Sequence, residues 1–491
     1  MRDIIFTFFN YFVFFYTSML AIFFVTFAFL SFISLKRRKD YYVESYMRKT
    51  IKESPYTPGI SVIAPAFNEE KTIIDNVNSM LALEYPLFEV VIVNDGSTDS
   101  TLKKMIEHYE LIEVPYAYIE RIKTKPFRRL FKSTSPKYSR LIVVDKENGG
   151  TKADASNAGI NVSSYPYFIC TDVDCILEKY ALYRCISPII SSDKQVIAVS
   201  GTMLMANGCV VKDGQIVDVR TPRTPIPLFQ NLEYMRSYLI GKMGWSAING
   251  MPNVSGGFGL FDRSVAIAAG GYDGTSFAED MDLITRMVGY MCDFSRPYKI
   301  IQIPDTCCWT EGPPNLAMLY RQRTRWARGL FPTLSINHKM IFKKTYKQMG
   351  LLTLPYMFVF EFLAPIIELT GLIVFIYLAF TGAVNWNTAW MIYLTIYTFC
   401  QFLSIVVITY DYYVGMLYKR GYEYLWIIIA SILEPIFYHP IITFCSLRGY
   451  LSYLTNRDFK WKNMERKGFK QKEENTDDAE TAAMKPEPAT I

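Results

Sequence analysis

Histidine is scarce in this sequence, three in 491 residues, and none of the three (His108, His338, His439) stands near another polar cluster. No Ser-His-Asp or Cys-His arrangement can be drawn, so no activated-nucleophile site is visible. The nine cysteines are scattered or adjacent (Cys307, Cys308) and lack metal-ligand spacing, as expected of thiols kept reduced. The Asn-Val-Ser sequons at Asn161 and Asn253 then read as coincidences. Charge is also thin: 20% of residues, with a net of +6 from 52 cations and 46 acids, which argues against a nucleic-acid partner.

What the chain has instead is apolar surface, 51% hydrophobic and 15% aromatic, unevenly spread. Ile4 to Leu35 carries no charged residue, long enough to span a bilayer core of about 30 Å with tilt to spare. A cleaved signal peptide would have a shorter apolar core and a small-residue cleavage site; here Lys36-Arg37-Arg38-Lys39 follows, so the segment reads as a retained anchor. Those cations put the following region in the cytoplasm of a plasma-membrane protein. The resulting division is residues 1–35 as a membrane helix, 36–346 as a cytoplasmic domain, 347–454 as membrane or interface helices, and 455–491 as tail. Within the third part lie Leu351–Phe380, Trp386–Tyr410 and Tyr424–Tyr450. The tail is basic from Arg457 to Lys470 and acidic from Gln471 to Ile491, the second stretch reading as disordered. Three full crossings would leave the basic stretch outside, against the charge rule. One stretch is therefore expected to be interfacial, re-entrant or hairpin-like, broken at Leu354-Pro355, Ala364-Pro365 or Glu434-Pro435.

The middle region alternates β-branched runs with helical stretches, the pattern of an α/β domain with a largely parallel sheet. Candidate strands are Ser61–Ala64, Glu89–Asn94, Arg140–Asp145, Tyr167–Thr171, Val196–Gly201, Gly257–Phe261 and Lys299–Ile303. Candidate helices are Glu69–Leu83, Thr98–Tyr109, Lys152–Asn161, Leu177–Ile190 and Asp280–Gly289. Ligands of such sheets sit at the carboxyl ends of the strands.

Four polar groups stand there. Asn94-Asp95-Gly96-Ser97-Thr98-Asp99 is either a ligand-facing glycine turn, with Asp95 accepting from a base or ribose, or a plain turn with Ser97 or Thr98 as N-cap. Asp172-Val173-Asp174 puts two carboxylates on one side of a strand end, where they could share Mg²⁺ or Mn²⁺ with phosphate oxygens, or be a solvated pair of acids. Glu279-Asp280-Met281-Asp282 opens a helix, as a general base at the mouth of the sheet or as dipole complements. Gln322, Arg325 and Trp326 share one helix face, where amide and indole suit a sugar; the alternative is a cationic helix on lipid headgroups, with Arg321, Arg323 and Arg328 on other faces.

In order, Ser61-Val62-Ile63-Ala64-Pro65-Ala66-Phe67-Asn68-Glu69-Glu70, Asn94-Asp95-Gly96-Ser97, Asn148-Gly149-Gly150-Thr151-Lys152-Ala153, Asp172-Val173-Asp174, Ser255-Gly256-Gly257-Phe258-Gly259, Glu279-Asp280 and Gln322-Arg323-Thr324-Arg325-Trp326 resemble the membrane-embedded family-2 glycosyltransferases. The likeness is to the processive group that makes cellulose, chitin, hyaluronan and poly-N-acetylglucosamine. The resemblance implies a GT-A fold holding a UDP-sugar, with Asp95 and Asp172 on the nucleotide, Lys152 near it and Asp174 on the metal. It further implies Asp280 as catalytic base, Gln322, Arg325 and Trp326 on the diphosphate and the acceptor end, and Phe258, Gly259 and Glu279 on the acceptor side. Two departures stand out: Thr151 lies between the glycines and Lys152, and Ala278 occupies a place where many relatives carry threonine.

A single in-line displacement, with Asp280 taking the acceptor proton and a charged clamp on the leaving diphosphate, inverts the anomeric carbon. Glu361, Glu368 and Glu434, with Tyr356, Trp386, Trp390 and Trp426, could line a path for a sugar chain or be interfacial residues and aromatic belts. The first functional expectation is therefore a polysaccharide synthase passing its product through its own membrane segments. A glycosyltransferase with a lipid acceptor is the second, and a catalytically silent scaffold or transport subunit the third. The partners are a UDP-sugar, a growing glycan or lipid, the bilayer, and accessory secretion or regulatory subunits.

Overall fold

The computed structural model describes residues 2–41, 44–173, 175–212 and 214–455. Its strands are β1 (Ile60–Ala66), β2 (Phe88–Asp95), β3 (Leu111–Glu113), β4 (Phe127–Ser133), β5 (Leu141–Lys146), β6 (Tyr167–Thr171), β7 (Ile176–Leu177), β8 (Gln195–Met205), β9 (Val210–Lys212), β10 (Gln215–Asp218), β11 (Phe258–Asp262) and β12 (Tyr298–Thr310). Ten form one sheet in the order β3-β4-β5-β2-β1-β6-β11-β8-β12-β7, with β9 and β10 a separate hairpin. The centre β5-β2-β1-β6 is parallel, as is β8 with β12, while β11 runs antiparallel to both β6 and β8.

The apolar runs explain the layering. Alternate residues of a strand face opposite sides. Accordingly Ile63, Val91, Val93 and Val144 join one core, while Val62, Val90, Ile92 and Val143 join the other. Each such side chain contributes about 1.5–3 kcal/mol on burial. The first core continues without a break into the apolar helices through Phe27, Trp245, Leu403 and Ile427.

The first helix runs from Arg2 to Tyr41. Among the described residues, four segments are long and apolar enough to cross a membrane: Tyr11–Arg37, Met349–Phe380, Trp386–Val414 and Gly421–Thr455. The proline sites behave differently from one another. Around Pro355 and before Pro365 the chain takes π-helical turns, Met349–Thr353 and Met357–Phe362, whereas Gly421–Thr455 continues through Pro435 and Pro440. That last helix packs along Pro225–Arg236 and Leu316–Ile336 of the α/β domain. Ion pairs fasten it: Arg223 to Glu423 at 2.9 Å and Arg236 to Glu434 at 2.6 Å. Glu434 thus fastens the last helix to the α/β domain. Tyr356 is likewise packing, edge-on to Phe23 and Trp245. The basic and acidic stretches after Thr455 lie outside the described residues.

Candidate active site

Parallel β2 and β6 end on the same edge of the sheet, which brings Asp95 and Asp172 to one rim. Because β11 is antiparallel, it is its start, the Ser255-Gly256-Gly257 turn, that reaches this rim, with Phe258 opposite Thr171.

Asp95 is almost fully buried, and its Oδ1 accepts from Lys146 Nζ at 2.7 Å and from Gly149 N at 3.0 Å. Gly96 follows at φ +64°, so close to Asn148 that an added Cβ would lie 2.7 Å from the Asn148 nitrogen; only glycine meets both demands. Lys146, wholly buried, also pairs with Asp154 at 2.5 Å. Lys146 is absent from the site residues expected above, and its one signal in the sequence is its place at the end of the run Leu141-Ile142-Val143-Val144-Asp145. The expected N-cap at Ser97 or Thr98 is not found: the helix starts at Thr101, and Ser97 and Thr98 instead hold the Asn68 loop, whose Oδ1 accepts from Thr98 N at 2.8 Å.

Thr151 caps the helix Lys152–Val162 by accepting from Asp154 N, and the insertion leaves Lys152 aimed across the rim. Lys152 Nζ reaches Asp172 Oδ1 at 2.7 Å and the Gly256 carbonyl at 2.7 Å. Burial works against its charge, but Asp172, Cys170 and Glu279 outweigh burial and hold the ammonium above the usual lysine range. A Cβ on Gly256 would stand 3.7 Å from Asp280 Oδ2, so Asp280 looks onto this same turn.

Asp280 and Glu279 open the helix Glu279–Asp293. Asp282 is buried and accepts from Arg286 Nε at 2.8 Å, an ion pair along the helix. Glu279 is pushed up to about 7, first by burial and further by Asp280 and Asp172, against the opposing pull of Lys152 and Arg325. Lys152, Asp172, Glu279, Asp280 and Arg325 thus share one electrostatic neighbourhood.

The helix Leu316–Ile336 is capped by Asn315 and docks through Gly329 on Ala278, just ahead of the acids. Gln322 Oε1 accepts from Gln230 Nε2 at 3.1 Å, and Trp326 is partly exposed. Arg323 does not face lipid headgroups: it is buried, bidentate to Glu233, hydrogen-bonded to the Tyr438 hydroxyl at 3.0 Å and seated 4.5 Å over the Trp326 ring. Arg328 covers Phe277 at 5.1 Å. Phe258 and Gly259 need correction too. The Phe258 ring is wholly in the core and an added Cβ on Gly259 would collide with Val254 at 2.2 Å, so both are packing positions behind the turn. Asp174 lies outside the described residues. Among those described, no group of three or more acids, cysteines or histidines forms a ready metal cage.

In the apolar part, Glu368 accepts from Thr443 at 2.6 Å and contacts His439 Nε2 at 3.2 Å, a polar strip between two helices. Trp386 and Trp390 stand exposed on the outer face, as belt residues would, and Trp426 carries Arg223 at 5.0 Å.

Two family models match: "Glycosyl transferase family 2" over residues 61–203 and "Glycosyl transferase family group 2" over residues 222–410. Among curated proteins, the poly-β-1,6-N-acetyl-D-glucosamine synthase of Staphylococcus aureus (strain COL) is 28% identical over 306 residues, covering 62% of this chain and 60% of the relative. The protein of the same description from Staphylococcus epidermidis is 25% identical over 393 residues, 77% of this chain and 83% of the relative. Among solved structures, a mannosyltransferase of Pyrobaculum calidifontis in complex with GDP-Man and Mn²⁺ aligns with a TM-score of 0.48 at 18% identity, covering 84% of this chain and 99% of that one.

Proposed function

We propose, for a chain that carries family-2 glycosyltransferase domains on a GT-A fold and is homologous to polysaccharide synthases, that it transfers a sugar from a UDP-sugar to a β-linked glycan with inversion. N-acetylglucosamine is the first sugar to test, since the curated relatives are described as synthases of its β-1,6 polymer.

The observation that carries the reading is the meeting of Lys152, Asp172 and Asp280 around the Gly256 turn. A sugar hydroxyl is a poor nucleophile, and Asp280 is the carboxylate available to take its proton as the new bond forms. The departing diphosphate gains charge, and Lys152 and Arg325 are the cations available to meet it. Trp326, steadied by Arg323, offers an indole face to the acceptor ring.

A divalent ion fits the residues present. Asp172 gives one carboxylate, Asp174 is next but one in sequence, and hard Mg²⁺ or Mn²⁺ needs only one or two carboxylates when phosphate oxygens and waters complete its shell. When bound it would supply charge neutralisation for the diphosphate.

Four apolar helices support an integral membrane protein, and the cations after the first span support a catalytic domain on the cytoplasmic side. The Glu368–His439–Thr443 strip supports passage of the product between the helices.

The deciding experiment is purified protein with Mn²⁺ or Mg²⁺ and a panel of UDP-sugars, following UDP release and product size. Long polymer supports the reading, a labelled lipid would favour a glycolipid product, and silence with every donor would remove the enzyme.

A further inference from the structure

Lys146 ends β5, and its ammonium touches three oxygens: Asp95 Oδ1 at 2.7 Å, Asp154 Oδ2 at 2.5 Å and the Glu147 carbonyl at 2.5 Å. Three contacts match its three N–H groups, as a buried ammonium requires. The Lys146 side chain is 0% exposed where that of Asp95 is 7%, so the lysine lies behind the carboxylate and cannot itself reach a ligand.

The loop after β5 is built around this contact. Gly149 donates its N–H to the same Asp95 Oδ1 at 3.0 Å, and an added Cβ on Gly149 would lie 2.2 Å from Asp154 Oδ2. Glycine there is what lets Asp154 come in under the loop and meet the ammonium. The other oxygen of Asp154 accepts from Lys125 N at 3.0 Å, and the Asn148 amide donates to the Asp95 carbonyl at 2.7 Å. Among the described residues, both hydrogen bonds to the Asp95 side chain fall on Oδ1, so the carboxylate cannot turn without breaking them. Oδ2 is the oxygen left for a ligand at the carboxyl end of β2.

Resting on the glycosyltransferase reading above, in which Asp95 meets the nucleotide, we propose that Lys146 is the positioning residue that sets base selection. It holds Oδ2 in one orientation as a hydrogen-bond acceptor. Such an acceptor takes a base that offers a ring N–H, as uracil does at N3, and opposes one that offers a bare ring nitrogen, as cytosine does. A buried acceptor facing a lone pair is left unpaired, which is what makes the discrimination large.

The test is equilibrium binding to the full chain in detergent with Mn²⁺, comparing UDP, CDP and N3-methyl-UDP, which carry the same diphosphate. The unsubstituted protein should hold UDP about 10- to 100-fold more tightly than either of the others. Asp95→Asn should reverse the order in favour of CDP, because Lys146 and Gly149 keep hold of the amide oxygen and turn the NH₂ outward as a donor. Lys146→Met combined with Asp154→Asn, which removes one charge of each sign, should bring UDP and CDP to parity by weakening UDP alone; a merely structural role would weaken both alike. Equal affinity of the unsubstituted protein for UDP and CDP, parity in Asp95→Asn, or an undiminished preference for UDP in the double variant overturns the assignment. The first two measurements decide it even if the double variant does not fold. Failure of the unsubstituted protein to bind any of the three nucleotides overturns the underlying UDP-sugar reading instead.

Discussion

Gly329 touches Ala278 so closely that an added Cβ would lie 2.6 Å from the Ala278 Cβ and 2.9 Å from its backbone nitrogen. This contact sets the helix bearing Gln322, Arg325 and Trp326 against the first turn bearing Glu279 and Asp280. Gly329→Val should force the two apart. A misplacement of about 1 Å at reacting groups can cost about 100-fold in rate, and the overpacking itself about 1–3 kcal/mol. Turnover and thermal unfolding of the variant check both; near-normal turnover would show that the contact does not set the site.

Asp280→Asn keeps the shape of the side chain and removes its basicity. Transfer should fall by about 10²- to 10⁴-fold, the usual contribution of a general base, while UDP binding stays close to that of the unsubstituted protein. Comparable turnover would remove Asp280 from the role.

Lys152→Met removes the ammonium that meets Asp172 at 2.7 Å and the cation proposed for the diphosphate. Affinity for UDP should weaken about 10- to 100-fold, as expected for a lost charge-assisted contact, and equilibrium binding of UDP measures it directly.

Glu279 titrates at about 7 in the folded protein against an ordinary value of 4.5, because burial disfavours its charge. The fold thus prefers the protonated acid. The stabilisation is complete below about pH 4.5 and is lost as pH rises through 7. Melting temperatures between pH 5 and pH 8 should fall with rising pH, and Glu279→Gln should flatten that decline; identical slopes would contradict it.

Arg323 joins Glu233 to Tyr438 across two helices. Arg323→Met strands Glu233, whose side chain is 32% exposed, and should cost roughly 2–3 kcal/mol, below the full penalty for a wholly buried pair. Replacing both, Arg323→Met with Glu233→Met, should recover much of the loss in chemical unfolding, since no uncompensated charge remains.

Much of this arrangement is local chemistry and could be read along the chain. The runs Val90-Val91-Ile92-Val93 and Leu141-Ile142-Val143-Val144 announce strands buried on both faces, Gly96 announces a turn, and the apolar stretch before Lys36 announces a span. These features depend on side chains a few residues apart. Other elements depend on partners far away in sequence. Strand β4, with Arg128, Arg129 and Lys132, is a strand because it pairs with β5. Lys146 is buried because Asp95 and Asp154 neutralise it, and Arg323 turns inward because Glu233 meets it from 90 residues away. The antiparallel course of β11, which delivers Gly256 to the rim and sends Phe258 into the core, likewise depends on its two neighbours in the sheet. Periodicity and turn chemistry are properties of neighbouring residues, whereas the pairing of a charge or the facing of a strand is decided only when distant segments compete for the same buried space.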